Sequence, residues 1–404
     1  MKYKFETKTI GDCCDIIKKS IHPEKGQVYT CFSLPAFDNS NTPEILNGEE
    51  IKSSKFVLDE NTILFNKLNP KFRRVWNIHS LEKYENTICS TEFLPLKAKA
   101  NIEQDYLYYY VSSPYFTRLM DGIRTGTSNS QQRIDWKQFL REPINVPSLP
   151  IQRKVVSLLR NIDKKIKLNN AINNNLEQQA KAIFKSWFVD FEPFGGVQPS
   201  EMQFIPLREL CKVVTKGTTP TTLGKSFTSS GINFIKAESI LDNHSIDSNK
   251  FAFIDEETNA LLKRSIIKAN DIVFTIAGTL GRFAMVDNSV LPANTNQAVA
   301  IIRPDETKVT PAYLYSFFIG NWHNEYYSKR IQQAVQANLS LTTIKSLPIA
   351  VLNNTTMSNY EKLVSPLFAL MKNNEEENRR LSKLRDALLP RLMSGELDVS
   401  DIDL

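Results

Sequence analysis

The sequence predicts an α+β fold in which one unit occurs twice, each copy a mixed strand-and-helix module followed by a long helix. Three observations lead there: a heptad seam, the return of that seam about half a chain later, and short β-rich runs upstream of each seam.

The seam begins at Val155 and steps by four and three through Leu159, Ile162, Ile166, Asn169, Asn173, Leu176, Ala180, Ile183 and Trp187. That spacing keeps one stripe of a helix facing a partner helix. Shifted by 205 residues, the pattern returns without a gap at Tyr360, Val364, Leu367, Met371, Asn374, Asn378, Leu381, Arg385, Leu388 and Leu392, with the paired asparagines at the same two steps. The same shift carries Ile134 to Leu339, Phe139 to Ile344 and Pro143-Ile144 to Pro348-Ile349. With gaps, Thr62-Ile63-Leu64-Phe65 resembles Asp271-Ile272-Val273-Phe274, and Tyr106-Leu107-Tyr108 resembles Tyr313-Leu314-Tyr315. The helices have stayed alike while the modules have diverged.

Each seam belongs to a helix of about 35–40 residues, roughly 55–60 Å long at 1.5 Å per residue. Alone, such a helix leaves its apolar stripe wet. Pairing the two stripes covers both, and the large module between them in sequence makes the pairing antiparallel, a coiled coil with pseudo-twofold symmetry. Asparagine in a seam costs stability and fixes register. Asn169, Asn173, Asn374 and Asn378 either meet across the pair or mark a splayed, wetter stretch. Pro366 is expected to mark a first turn or a kink, and Pro390 to end or bend its helix.

The modules read as mixed. Strands are expected over 56–58, 63–65, 93–96, 232–236, 272–276 and 298–302, and helices over 105–120 and 311–327. A chain of 404 residues is too long for one ordinary core. Hydrophobic residues at 41% and charged residues at 23% fit a folded, soluble class. No apolar run approaches membrane-spanning length and no basic-then-apolar leader is present, so a cytoplasmic, non-membrane protein is expected. The five cysteines contain no C-x-x-C pair and the four histidines are scattered, which indicates neither a disulfide frame nor a metal site. A net charge of +6 permits nucleic-acid binding without demanding it.

A rod with a similar module at each end suits a repetitive polymer. DNA is the natural candidate, since half-sites on one face recur every ~34 Å. Loop residues of the right chemistry occur in both modules. In the first they are Lys67, Arg73, Arg74, Arg124, Thr127, Ser128, Asn129, Gln131 and Arg133. In the second they are Lys216, Thr218, Thr219, Lys225, Thr279, Arg282, Asn296, Gln297, Arg330 and Gln333. Arginine and lysine neutralise phosphate and arginine reads guanine; asparagine and glutamine pair with adenine edges; glycine and threonine allow close backbone approach. Ordinary turn chemistry would select many of the same residue types.

Catalytic signatures fail on inspection. The run Gly217 to Ser226 ends like a phosphate-binding loop, but Thr219 stands where the glycine is needed. The acids of Pro304-Asp305-Glu306-Thr307-Lys308 are adjacent, too close for a metal nuclease. Asn69-Pro70-Lys71-Phe72 lacks the second proline of an amino-methyltransferase motif. No catalytic residue, cofactor site or metal site is therefore assigned.

The assembled pieces resemble the specificity subunit (HsdS) of type I restriction-modification enzymes over nearly the whole chain. The resemblance rests on Pro150-Ile151-Gln152-Arg153 opening the first long helix and the run Phe184 to Pro193 closing it. It rests too on Gly217-Thr218-Thr219-Pro220, Gly278-Thr279-Leu280-Gly281, Asn294-Thr295-Asn296-Gln297 and the tail Leu384 to Leu397. It implies target-recognition domains at 1–149 and 201–350, each reading half of a split double-stranded DNA site. It also implies spacer helices at 150–193 and 351–396 that form the central and C-terminal conserved regions. Two methyltransferase subunits and motor-nuclease subunits would dock on this chain and use S-adenosylmethionine, ATP and magnesium. The alternative is a freestanding bipartite DNA-binding regulator without enzymatic partners. The first module lacks the Gly-Thr-Thr-Pro run and the Gly-x-x-Gly loop and carries Gly126-Thr127-Ser128-Asn129-Ser130 instead, so the target should be asymmetric.

Inserting whole heptads between Leu176 and Ile183 is predicted to lengthen the DNA spacer and leave both half-sites unchanged, read from the methylated sequence. Altered half-sites would contradict the distance-measuring role.

Overall fold

A computed structural model describes residues 4–125, 132–322, 326, 338–400 and 402. The chain forms two compact units, one of Met1–Leu168 with Glu377–Leu404 and one of Asn169–Glu376. Each unit thus takes a stretch of both long helices.

The first unit is built on a four-stranded antiparallel sheet in the order Cys14–Ile16, Phe93–Ala98, Thr62–Asn66, Val75–Ile78. Its central strand is apolar on both faces because both are covered. Ile63 and Phe65 point into a core with Tyr106, Phe116 and Phe139, while Leu64 points the other way to Phe32 and Trp76. A second sheet runs Ser20–Ile21, Lys55–Val57, Thr87–Ser90, Val28–Phe32, Glu44–Asn47, with Val28–Phe32 parallel to Thr87–Ser90. A ribbon of Phe5–Thr9 and Pro143–Pro147 closes the module.

The second unit repeats this plan. Its four-stranded sheet has the order Cys211–Lys216, Val299–Pro304, Ile272–Thr275, Phe283–Met285. Ile272 and Phe274 face one core and Val273 the other, the same alternation. Ile232–Ile235 runs parallel to Ala293–Thr295, as the corresponding pair does in the first unit, and Gln203–Pro206 pairs with Pro348–Val351 as the closing ribbon. All six expected strands are present, trimmed or extended by a residue or two.

The expected helix over 105–120 is two helices, Gln104–Val111 and Pro114–Gly122. Proline cannot donate to the preceding turn but fits a first turn, and the Ser113 hydroxyl caps the new helix by accepting from Phe116 N at 3.0 Å. The expected helix over 311–327 is Pro311–Ile319, ending at Gly320. A Cβ at Gly320 would meet the Trp322 indole at 2.3 Å, so the chain needs glycine there to turn under that ring.

The long helices are Leu149–Phe188 and Asn354–Met393, 40 residues each. The first has Pro150 in its opening turn, and Gln152 ties it to the module: this buried amide donates to Asn101 O and Pro147 O and accepts from Glu103 N. Residues 189–193 lie beyond its end, with a short 3-10 helix at Glu192–Phe194. The second starts three residues later than 351, with the Asn353 side chain accepting from Thr356 N at 2.9 Å, and ends before Gly395, which has a φ of +74°. Pro366 is not at a first turn. It lies on the exposed side well inside the helix, where its missing N–H leaves the preceding turn one bond short. Pro390 does not end the helix, which continues to Met393.

Every seam position is buried or half-buried. In the first unit Lys165 pairs with Glu377 at 3.2 Å and Asp163 with Arg385 at 2.8 Å, so higher numbers on one helix meet lower numbers on the other. The second unit is antiparallel likewise. Asn374 Nδ2 donates to Asn173 Oδ1 at 2.8 Å, Asn173 Nδ2 donates to Met371 O at 3.2 Å, and Trp187 packs edge-on against Tyr360. Asn173 and Asn374 therefore meet across the pair, and Asn169 is fully buried. The Arg385 step carries an ion pair, while its counterpart one repeat earlier, Ala180, is buried in an apolar cluster with Phe368.

Replacing Asn374 with alanine takes the donor from Asn173 Oδ1 and should cost about 1–3 kcal/mol in denaturant unfolding. An unchanged midpoint would show that the amide pair contributes nothing to closure.

Candidate nucleic-acid interface

Antiparallel registry gathers loops that are distant in sequence. In the second unit Lys216 pairs with Ala300, and Thr275 with Val299. The loops after Lys216, after Thr275 and before Val299 therefore leave the same end of the sheet. These carry the Gly-Thr-Thr-Pro, Gly-Thr-Leu-Gly and Asn-Thr-Asn-Gln runs.

The first and third of those runs abut. Gly217 N donates to Asn296 O at 3.0 Å, and the Thr219 hydroxyl donates to Gln297 Oε1. Gly217 has to be glycine, because a Cβ would lie 1.8 Å from Thr295 O. Thr218 accepts from Arg264 at 3.2 Å, and Asn296 Oδ1 accepts from Ala298 N at 3.1 Å, leaving Lys216 and Gln297 exposed on this rim. The Gly-x-x-Gly run is a hairpin turn with φ of +77° at Gly278 and +84° at Gly281. Its Thr279 is exposed, and the turn is locked by the Thr275 hydroxyl donating to Thr279 O and by Thr275 N donating to Arg282 O at 2.7 Å. Arg282 is gripped by Asp242, Nε to Oδ1 and Nη2 to Oδ2, both at 2.6 Å. Lys225 pairs with Glu257 at 2.7 Å on the helix Glu256–Leu261. Arg330 and Gln333 lie outside the described residues.

The first unit gathers its candidates at the corresponding sheet end. The loop after Asn66 carries Lys67, Arg73 and Arg74 and returns into Val75–Ile78. A ribbon of Arg124–Thr125 and Arg133–Ile134 is zipped to it: Ile134 N donates to Lys67 O at 3.0 Å and Asn69 N to Gln132 O at 2.7 Å. Thr127, Ser128, Asn129 and Gln131, between those two strands, lie outside the described residues. Arg133 forks onto Glu92 at 2.7 and 3.2 Å, and Arg74 forks onto Asp38 at 2.6 and 2.6 Å. Arg73 leans toward Asp386 of the second long helix at 3.7 Å. Burial lowers the affinity of the Lys67 amine for its proton, opposed by Glu92. Phe72 is exposed, with the Lys71 ammonium 5.1 Å and the Arg74 guanidinium 4.8 Å from its ring, and Lys18 sits 4.2 Å over Trp136. A basic surface interleaved with aromatic rings suits a polyanion.

Sequence reasoning missed the acidic partners Asp38, Glu92, Asp242 and Asp386. They lie far from their arginines along the chain, and no local pattern announces them. It also missed Leu363, Leu370 and Leu384, which share heptad spacing along the second long helix and are exposed. Among the described residues no group of three or more His, Cys, Asp or Glu side chains converges as metal ligands, and no helix is long and apolar enough to cross a membrane. Burial pushes the Cys13 thiol up to about 11 and the Cys211 thiol up to about 12, away from nucleophilic chemistry.

Comparison with known proteins finds the same duplication. The model of the type I restriction modification DNA specificity domain matches residues 2–178 and again residues 199–379. The specificity subunit of the type I restriction enzyme HindI of Haemophilus influenzae is 24% identical, over 91% of this chain and 96% of that protein. The MjaIX specificity subunit of Methanocaldococcus jannaschii is 24% identical, over 75% of this chain and 71% of that protein. Among solved structures, the S subunit of a type I restriction-modification system from M. genitalium shares the fold with a TM-score of 0.51 at 16% identity. That match covers 97% of this chain and 96% of that one.

Replacing Gly217 with alanine drives a methyl group into the Thr295 carbonyl and should destabilise the second unit by about 1–3 kcal/mol, the usual range for overpacking. A thermal unfolding midpoint equal to wild type would mean that the two loops do not abut.

Proposed function

Because this chain belongs to the family of type I restriction-modification DNA specificity domains, with the domain present twice in tandem, we propose that it is the sequence-reading subunit of such an enzyme. Each module reads one half of a bipartite, asymmetric DNA target, and partner subunits methylate or cleave. The modules at 1–149 and 201–350 are the two target-recognition domains, and the helices within 150–193 and 351–396 are the spacer.

One observation carries this reading: the four-stranded sheets of the two modules share one strand order and present different loops at the same end. A shared framework with different rims is what two readers of different half-sites require. Direct readout places arginine, asparagine and glutamine against base edges, while lysines and backbone amides hold phosphates. Gln297 and Thr279 on one rim, and Lys67, Arg74 and Arg133 on the other, supply those chemistries without being alike.

Catalysis belongs to the partners. Two methyltransferase subunits using S-adenosylmethionine and motor-nuclease subunits using ATP and magnesium complete the assembly, in the cytoplasm. The exposed Leu363, Leu370 and Leu384 support docking on the helices, since leucines at heptad spacing on a solvent-facing stripe offer a second helical seam. A freestanding regulator would have no use for that stripe.

The test is an exchange of residues 201–350 for the equivalent module of a relative, followed by mapping of methylated adenines produced with the methyltransferase subunits. One half-site should change while the other and the gap stay. A change in both halves would overturn the two-reader assignment.

A further inference from the structure

Arg74 and Arg282 occupy the same place in the two units. Each directly precedes the outer strand of its four-stranded sheet, in registers that pair Phe65 with Val75 and Phe274 with Phe283. The carbonyl of each accepts from the last residue of the neighbouring strand, Asn66 N at 3.1 Å and Thr275 N at 2.7 Å. Their aspartates correspond as well. Asp38 lies on the helix Leu34–Ser40 after Val28–Phe32, and Asp242 follows Ile232–Ile235, the strand that holds the same parallel pairing in its own unit. The bonded atoms are the same in both, Nε to Oδ1 and Nη2 to Oδ2, all at 2.6 Å.

The surroundings have diverged. Phe72 and Arg73 precede one arginine and Leu280 and Gly281 the other, and Asn66 stands where the second unit has Thr275. Stability alone is a weak reason to repeat the pair. The carboxylates are 49% and 62% exposed and the arginine side chains 16% and 22%, and an ion pair open to water on its carboxylate side holds a fold together only modestly. A side-on grip has a different consequence. A guanidinium has five donors, and a carboxylate on the Nε and Nη2 edge leaves the remaining Nη1 and Nη2 hydrogens uncommitted to it, with the rotamer fixed. In the second unit Ile240 O adds a contact to Nη1 at 3.4 Å, steadying the group further. Nη1 and Nη2 are the donor pair that matches guanine O6 and N7.

We propose that Arg74 and Arg282 are equivalent guanine-reading residues, one per module, and that Asp38 and Asp242 are positioning residues that aim them. This rests on the DNA-reading role proposed above and adds to it. Although the target is asymmetric, each half-site carries a guanine at the corresponding place.

The experiment uses the full chain in complex with its methyltransferase subunits and reads the methylated motif, together with binding to duplexes substituted at each position. Arg282→Lys keeps the charge and loses the fork. It should relax one guanine in one half-site, with discrimination falling about tenfold or more, while the other half-site holds. Arg74→Lys should do the same in the other half, and Asp242→Asn should relax the Arg282 position more weakly at unchanged expression. The double variant Arg282→Ala with Asp242→Ala avoids a stranded carboxylate and should lose the same guanine. Two results overturn the inference: weaker binding to all sequences alike, which makes the forks phosphate contacts, or an unchanged motif with a lower unfolding midpoint, which makes them structural clasps. A wild-type complex without a two-part motif would instead overturn the underlying function.

Discussion

The fold rests on one requirement, that two long apolar stripes be covered. A lone helix of 40 residues gains little from propensity, and most of its stability comes from burying its face. Here each unit is closed by both helices. In the first, Val155 and Leu159 from one helix and Leu389 and Leu392 from the other enter the core that holds Ile63 and Tyr106. In the second, Ala180 and Phe184 from one and Tyr360 and Val364 from the other surround Tyr313. The first unit joins two separate pieces of chain, Met1–Leu168 and Glu377–Leu404, and the second, Asn169–Glu376, is one piece that begins in one long helix and ends in the other, so each module is complete only when both helices are present. Within each seam, polar side chains set the pairing: Asn173 with Asn374 in one unit and Asp163 with Arg385 in the other. These contacts cost more to bury than leucine would, and they penalise any other register.

That closure frees the sheet ends. Side chains on the faces of the four-stranded sheets are committed to cores on both sides, and the long helices are committed to each other and to the modules. The loops at one end of each sheet carry neither obligation. They can differ between units, as Gly217 against Asn296 differs from the zipped ribbon at Lys67, while the order of the four-stranded sheet beneath them stays the same.

The helices and their duplication were legible in the sequence because burial imposes a period, and the period survives even where residues differ, as at Ala180 and Arg385. The strands at 63–65 and 272–276 were legible as apolar runs too short for helices. The break at Ser113-Pro114 was available as a cap followed by a first-turn proline, but the apolar spacing on either side masked it. Sheet order was not legible, because it depends on pairings such as Ala98 with Cys14 that no local signal encodes. The candidate residues were chosen by chemical type, which found Arg74 and Arg282 but not their equivalence. Asp38 lies 36 positions from its arginine and Asp242 lies 40 from its own, and only the fold brings each pair together.

The proposal that the paired helices set the gap between two half-sites is tested most directly by varying that gap in the DNA. The purified complex would be titrated against duplexes carrying both half-sites with the gap changed one base pair at a time. Tight binding is expected at a single gap, with a steep loss one base pair to either side, where the second half-site rotates away from its reader. Equal affinity across the series would contradict the proposal.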